Sequence, residues 1–591
     1  MNGTALNFEM RIKKDMDPTK QEVFPGNLQS EYRQELTSIR EDNSLSRLWA
    51  RDVSLWSGQE TVISSLQTNL EFLHIPERIP QLVAGALNAD LELQAQGLTD
   101  RIVIAFGSVF HFCKALSNLR PDTGRLKFII LESCHPAAIR EAERQAESSK
   151  TLVVLVNKSA YQLEDHSLFL YFQKKLQSEA AGSVAGQFVA AGDSHTFLGS
   201  IAAEYQFRYF LGLPSGISAA YCSVIHLAVL LKVFARAELD TIRIACRETK
   251  KPDGDPSLAV ENPPCEICAF LLATIKTGRP FLCFLASPDL TPFASALCRL
   301  VGGSLGRGEN GLFPVVNTIP CATGPWEEAA SFIVLRNQAA AEREVENCAS
   351  ELRSRGIPFL EITVADPLDL LRHTFCWQVA TVLAAARMGL NPFDPVEPRL
   401  ARTLAGELLN ALSPRNDTLQ RRPRIQEKQI QLFAEARGRQ EISQLNLTEG
   451  LVSFFERRRG DAYFGLFVYL EPSAEILAQF TALREHVSQA LKIPVLLAWG
   501  PRSLDTFGYL FQEEAPRGLH MIVTGDVEAD IKTPGATYTF GQMYQAAAIG
   551  HFEALSTVGS LALRLHLSSP LVESLTQLQK TMSLALRRLA P

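Results

Sequence analysis

The chain reads as an α/β protein built on parallel sheets, and three observations carry that reading. Short runs rich in Val, Ile and Leu recur, apolar throughout rather than at every second residue, as in strands covered on both faces. These runs alternate with stretches of helical periodicity, and strands interleaved with helices build layered parallel sheets. The series also occurs twice, before and after KKPDGDPSLAVENPP (250–264), whose Pro, Gly and Asp content marks a boundary.

Taken in order, residues 1–45 are polar and weakly periodic and read as an N-terminal extension. A first α/β unit (46–245) is expected to hold strands at RIVIAFG (101–107), KFIILES (127–133), TLVVLVN (151–157) and GQFVAAG (186–192), with helices at 137–148 and 164–180. A second unit (246–569) is expected to hold strands at RPFLCFLA (279–286), GLFPVVN (311–317), SFIVLRN (331–337) and IPFLEITV (357–364), with a helix at 338–355. A long helical region (368–455) follows inside this unit. Further strands are expected at AYFGLFVYL (462–470), IPVLLAWG (493–500), LHMIVTG (519–525) and LALRLHL (561–567). An amphipathic helix closes the chain within 570–591, with Leu571, Leu575, Leu578, Met582 and Leu586 at the spacing of a face docked on its own domain.

With 591 residues, 46% of them hydrophobic, the chain can bury several cores. Its 58 basic and 64 acidic residues are scattered, so no electrostatic footprint for nucleic acid or an anionic membrane is present, and neither partner is expected. The start has no apolar stretch of signal-peptide length, and the longest apolar run, 219–231, is shorter than the roughly 20 residues that span a bilayer, so a cytoplasmic protein is expected. Eleven cysteines at irregular spacing read as reduced thiols in cores. Cys265 and Cys268 have metal-ligand spacing, but a structural zinc site needs four ligands and no second pair lies nearby. The glycine-rich SLGRGENG (304–311) lacks the spacing of a dinucleotide loop, so neither metal nor cofactor is expected. The basic clusters at 420–428 and 456–460 read as solvated faces.

Six phrases then stand in a telling order: RLWARDVSLWSG (47–58), LESCHPAAI (131–139), GLFPVV (311–316), ADPLDL (365–370), NPFD (391–394) and TPGATYTFGQMYQAAAIGHFEAL (533–555). Together they resemble the phosphoglucose isomerase (glucose-6-phosphate isomerase) family, and in particular the isomerase half of bacterial transaldolase/glucose-6-phosphate isomerase fusions, from about residue 45 to the C-terminus. The resemblance implies two SIS (sugar isomerase) domains with flavodoxin-like parallel sheets, plus a large helical insertion and a C-terminal helix. It places the site in the cleft between the domains, at the carboxyl ends of parallel strands. It also implies a sugar phosphate as ligand, and a homodimer or an assembly with sugar-phosphate enzymes.

Aldose–ketose interconversion through an enediol needs a carboxylate base, an acid for ring opening, a cation for the enediolate, and amides and hydroxyls for the phosphate. Against the family's phosphate loop this chain reads NKSAYQLE, keeping Lys158 and Ser159 but putting Ala160, Tyr161 and Gln162 in place of a glycine and two threonines. The first glycine-rich turn becomes AFGSVFHF, keeping Gly107 and introducing His111. Gly216 stands where the family has its arginine, and Gly303 where it has the catalytic glutamate, followed by a retained Ser304. In GPRSLDTFGYLFQEEAPRG (500–518), Asp505, Phe511 and Gln512 replace two histidines and a lysine, and Glu513 and Glu514 add charges that repel a phosphosugar. Phosphosugar contacts are therefore expected from Lys158, Ser159, Gly107 and Ser304 alone.

Two functional readings follow. One is a pseudoenzyme of the family with a scaffold, regulatory or sugar-phosphate-binding role in glycolysis and gluconeogenesis. The other is an isomerase with a rearranged site, using Glu309 as base and His111 or Asp505 in ring opening. The two differ in what fills the cleft: either an open polar pocket, or packing by Phe110, Tyr161, Phe507 and Phe511.

Overall fold

The N-terminal segment is part of the fold from residue 21 onward. β1 (Gln21–Phe24) pairs antiparallel with a strand formed far later in the chain, and the helix Gln29–Glu41 buries Tyr32, Glu35 and Ile39. Residues 1–45 were expected as an extension because a four-residue edge strand and a mostly polar helix carry little apolar periodicity. The computed structural model describes residues 21–589 except 57–62, 106, 120–125, 132, 159–161, 180–182, 236–261, 308–310, 319–328, 340–342, 395–398, 413–418, 420–421, 435–445, 459–462, 503, 505–506 and 509–517.

The first sheet consists of β2 (Asp100–Ala105), β3 (Lys127–Leu131), β4 (Thr151–Asn157), β5 (Phe188–Gly192) and β6 (Tyr209–Gly212). All are parallel, in the order β3-β2-β4-β5-β6. The second comprises β7 (Phe281–Ala286), β8 (Phe313–Thr318), β9 (Ala330–Asn337) and β10 (Phe359–Val364), ordered β1-β10-β9-β7-β8. The third holds β11 (Ile425–Glu427), β12 (Ile430–Ala434), β13 (Phe464–Tyr469), β14 (Val495–Trp499), β15 (Leu519–Gly525) and β16 (Leu561–Leu567), ordered β11-β12-β16-β15-β13-β14. In each sheet the chain runs outward one way from the first parallel strand and then back past it. This is the flavodoxin-like winding, whose reversal point opens a crevice at the strand carboxyl ends.

The α/β class with parallel, flavodoxin-like sheets therefore holds. Residues 246–569, expected as one unit, carry two of the three sheets. The seam lies inside the region read as helical, 368–455. Helices do occupy Pro367–Met388, Arg399–Asn410 and Leu447–Glu456, but β11 and β12 form a hairpin between them, and β12 lies antiparallel to β16. The hairpin's polar sequence, IQEKQIQLFA, hides it, because only one face of an antiparallel edge is buried. By contrast every residue of β7, β13 and β15 is buried, as their largely apolar runs require.

The Pro367–Met388 helix is apolar on almost every side and runs through the largest core, against the helices Ala219–Ala235, Pro263–Lys276 and Thr291–Leu305. Its limits are set locally: Asp366 and Asp369 form a capping box, Pro367 takes the first turn, and Gly389 ends it at φ +68°. Cys265 and Cys268 lie in this same core. The closing helix, Leu571–Leu589, docks Leu575, Leu578, Met582 and Leu586 on the third sheet's core, as expected. Among the described residues no helix is long and apolar enough to cross a membrane.

Removing residues 1–45 is expected to lower unfolding free energy by at least about 4 kcal/mol in urea titration, since Leu28, Tyr32 and Ile39 lose their burial and the β10 edge is uncovered. An unchanged midpoint would show that this segment is dispensable to the fold.

Candidate functional site

At the carboxyl end of β4, Lys158 is 6% exposed and its Nζ lies 2.9 Å from Asp193 Oδ2, just after β5. Asp193 Oδ1 also accepts from the Ser215 hydroxyl and the His195 amide, each at 3.0 Å. Burial pushes the Asp193 carboxyl up, but these bonds outweigh it and hold it below the ordinary carboxylate range. The cation expected to face a phosphate is thus matched by an internal anion. Gly107 opens the helix Gly107–Leu119 that follows β2. Ser159 and Tyr161 lie outside the described residues.

Gly216, in the arginine's place, has φ +82°, and a Cβ there would sit 2.5 Å from Thr68 Cγ2. The loop is fixed by the Ser218 amide, which donates to Asn69 Oδ1 at 2.7 Å. The absence of a side chain is therefore built into the backbone path. Gly303, in the base's place near the end of the helix Thr291–Leu305, is different: a Cβ there would meet no atom within 4 Å. Room for a carboxylate persists where the carboxylate is missing. The adjacent Ser304 is buried, donates to Pro392 O at 3.0 Å and lies 2.9 Å from Tyr221 Oη. Its hydroxyl, expected as a phosphosugar contact, ties this helix to the 219–235 helix. Glu309, Asp505, Phe511 and Gln512 lie outside the described residues.

His111, Phe110 and Phe507 do come together, around a cavity of about 330 Å³ where the three sheet units meet. Burial above all, then the charges of Arg502 and Arg299, push the His111 imidazole down to about 3, so it is neutral at physiological pH. Phe110 and Phe507 are both buried but pack the wall without closing the space. The wall also carries Lys114, Arg484, Arg502 and Trp499, none of which the sequence singled out. They are isolated cations on separate elements together with one aromatic, and no spacing announces that they converge.

A second feature missed in the sequence is Glu471, two residues past β13. Its Oε2 makes no hydrogen bond and lies 3.6 Å from His135 Nδ1, which itself accepts from the Ala137 amide. Burial pushes the Glu471 carboxyl up to about 7 and the His135 imidazole down to about 4. The His135 ring stands edge-on to Tyr544 at 4.9 Å, so the group joins the first and third units. Glu471 is not among the residues lining the 330 Å³ cavity.

No protein-family model and no curated protein sequence matches this chain. Among solved structures it is similar to the hypothetical protein TT0462 from Thermus thermophilus, with a TM-score of 0.54 and 17% identity over 66% of this chain and 99% of that one. A glucose-6-phosphate isomerase from Chlamydia trachomatis aligns at TM-score 0.45 and 15% identity, over 63% and 79% of the two chains. A putative phosphosugar isomerase from Silicibacter pomeroyi aligns at 0.38 and 15%, over 55% and 99%. At such identities the likeness concerns the fold.

Two measurements check the site's geometry. Gly216→Ala is expected to cost about 1–3 kcal/mol by chemical denaturation, whereas Gly303→Ala is expected to stabilise by about 0.5–1 kcal/mol, as a helix glycine with free space beside it. Glu471, with its folded pKa raised, favours folding fully at low pH and loses that contribution as pH rises from about 4.5 towards 7. Glu471→Gln is therefore expected to be neutral near pH 4 and to stabilise by about 1 kcal/mol at pH 8, a figure reduced for the partial exposure of the side chain. Equal effects at both pH values would show that the carboxyl titrates normally.

Proposed function

We propose that this chain is a phosphoglucose-isomerase-like protein without efficient turnover, with a scaffold, regulatory or sugar-phosphate-binding role in cytoplasmic sugar phosphate metabolism. The observation that carries this reading is Gly216: where the resemblance calls for a cation beside the enediolate, the backbone is left-handed and closed against Thr68. The pairing of Lys158 with Asp193 and the bare Gly303 support it. General acid and base groups each contribute about 10²–10⁴-fold, so loss of base, acid and cation together removes most of an isomerase's advantage over solution. The phosphosugar-isomerase-like fold stays, with its crevices at the strand carboxyl ends. A homodimer, or an assembly with sugar-phosphate enzymes, suits such a role.

A coupled assay converting fructose 6-phosphate to glucose 6-phosphate is expected to read no turnover above background for the purified chain. Turnover that falls sharply in Glu309→Gln would overturn the reading and establish a rearranged isomerase.

A further inference from the structure

The loops that follow β3 and β13 meet across the seam between the first and third units. There the Glu471 carboxyl faces His135, with Oε2 3.6 Å from Nδ1. The two atoms are ill matched. His135 Nδ1 accepts the Ala137 amide at 3.2 Å as the N-cap of the Pro136–Gln145 helix, so it presents a lone pair and the ring's proton is on Nε2. An ionised Glu471 sets acceptor against acceptor, with Oε2 buried and without a hydrogen bond.

The titratable and charged groups packed around this pair have other commitments. On the third unit, Tyr544 donates its hydroxyl to Gly500 O at 3.0 Å and feels the charge of Arg502, while Tyr469 Oη lies 3.0 Å from His551 Nδ1. Asp530 Oδ1 accepts the Ile531 and Gly541 amides at 2.7 and 2.8 Å. On the first unit, Arg140 Nη2 donates to Asp530 O at 3.4 Å. Burial above all, then the charge of Glu164, raises the Cys134 thiol, which therefore keeps its proton. Burial likewise lowers His135 to about 4, so the imidazole does not take up the proton that Glu471 releases near pH 7. Beside the pair the seam is aromatic: Tyr171 meets Phe540 edge-on at 5.6 Å, within a core that both units share.

We propose that Glu471 is a proton-operated latch: in its neutral form it lets the loops after β3 and β13 close on each other, and on ionisation it draws water between them and opens this edge of the seam. The aromatic packing beside it holds the two units together in both states. Because the carboxyl is harder to ionise when closed, the closed form is fully favoured at low pH and loses that advantage as pH rises from about 4.5 towards 7. Glu471 lies two residues beyond β13 and His135 four beyond β3, at the carboxyl ends where parallel sheets take ligands, so pH sets access to that side of the seam. The latch rests on neither turnover nor the binding role proposed above.

Hydrogen exchange on the full chain at pH 6 and pH 8, corrected for the intrinsic rate of each amide, tests it. Opening at 133–142 and 470–473 is expected to be about fivefold to tenfold more frequent at pH 8, the ratio for a carboxyl released from about 7 to its ordinary value. β7, buried in the second sheet, should show no such change. Glu471→Gln, which fixes the neutral form, should abolish the difference and keep the pH 6 protection at both values. Glu141→Gln, which removes an exposed carboxylate of the neighbouring helix, should leave the difference intact. Followed in the parent chain from pH 5 to pH 9, opening should rise to about pH 7 and then level off. Equal exchange at both pH values would overturn the proposal, as would a pH effect that persists in Glu471→Gln or a rise that continues unabated to pH 9.

Discussion

The largest core of this molecule is arranged around the burial of one helix, Pro367–Met388. Apolar on almost all sides, it cannot face water anywhere and must be surrounded. Two of the helices that surround it adjoin the questioned positions: Ala219–Ala235 follows Gly216, and Thr291–Leu305 contains Gly303 and Ser304. Polar contacts fix the register of this packing. Gln378 Nε2 donates to Ala220 O at 2.7 Å and to Ser223 Oγ at 2.9 Å, while Tyr221 meets Ser304. Large-to-small changes in such a core cost about 2–5 kcal/mol, against a net stability of about 5–15, so the packing is retained whatever becomes of the chemistry beside it.

That separation leaves the positions beside the core free of its packing demands. Gly303 keeps an open place beside it, since nothing in the core depends on filling that space. Gly216 has gone further, its backbone turned left-handed against Thr68. Lys158 directs its charge at Asp193, which makes a tie between the ends of β4 and β5. Buried ion pairs of this kind give little net stability, yet removing one partner strands the other, so the pair maintains itself.

Legibility in the sequence followed burial. β4, β15 and β16 fall on the residues expected for them, because strands buried on both faces are mostly apolar, even with His520, Thr524, Arg564 and His566 among them. β1 and the β11–β12 hairpin were hidden, because edge strands take their pairing from a neighbour rather than from their own composition. The same holds for side chains. Glycines at the positions expected for base and cation are visible by alignment alone. Asp193, Glu471, Lys114 and Arg484 carry no local signal, since what matters about each is the residue that packs opposite it.

The sequence by itself determined the α/β class and the parallel strands, because hydrophobic pattern is a property of short stretches. Only the tertiary structure decided that Lys158 pairs with Asp193, that Ser304 is a tie between helices, that His111 is held neutral, and that Lys114, Arg484 and Arg502 share one space. Each of these depends on distances between residues far apart in the chain, and electrostatic and hydrogen-bonding energies are set by those distances and by burial, neither of which one-dimensional order contains.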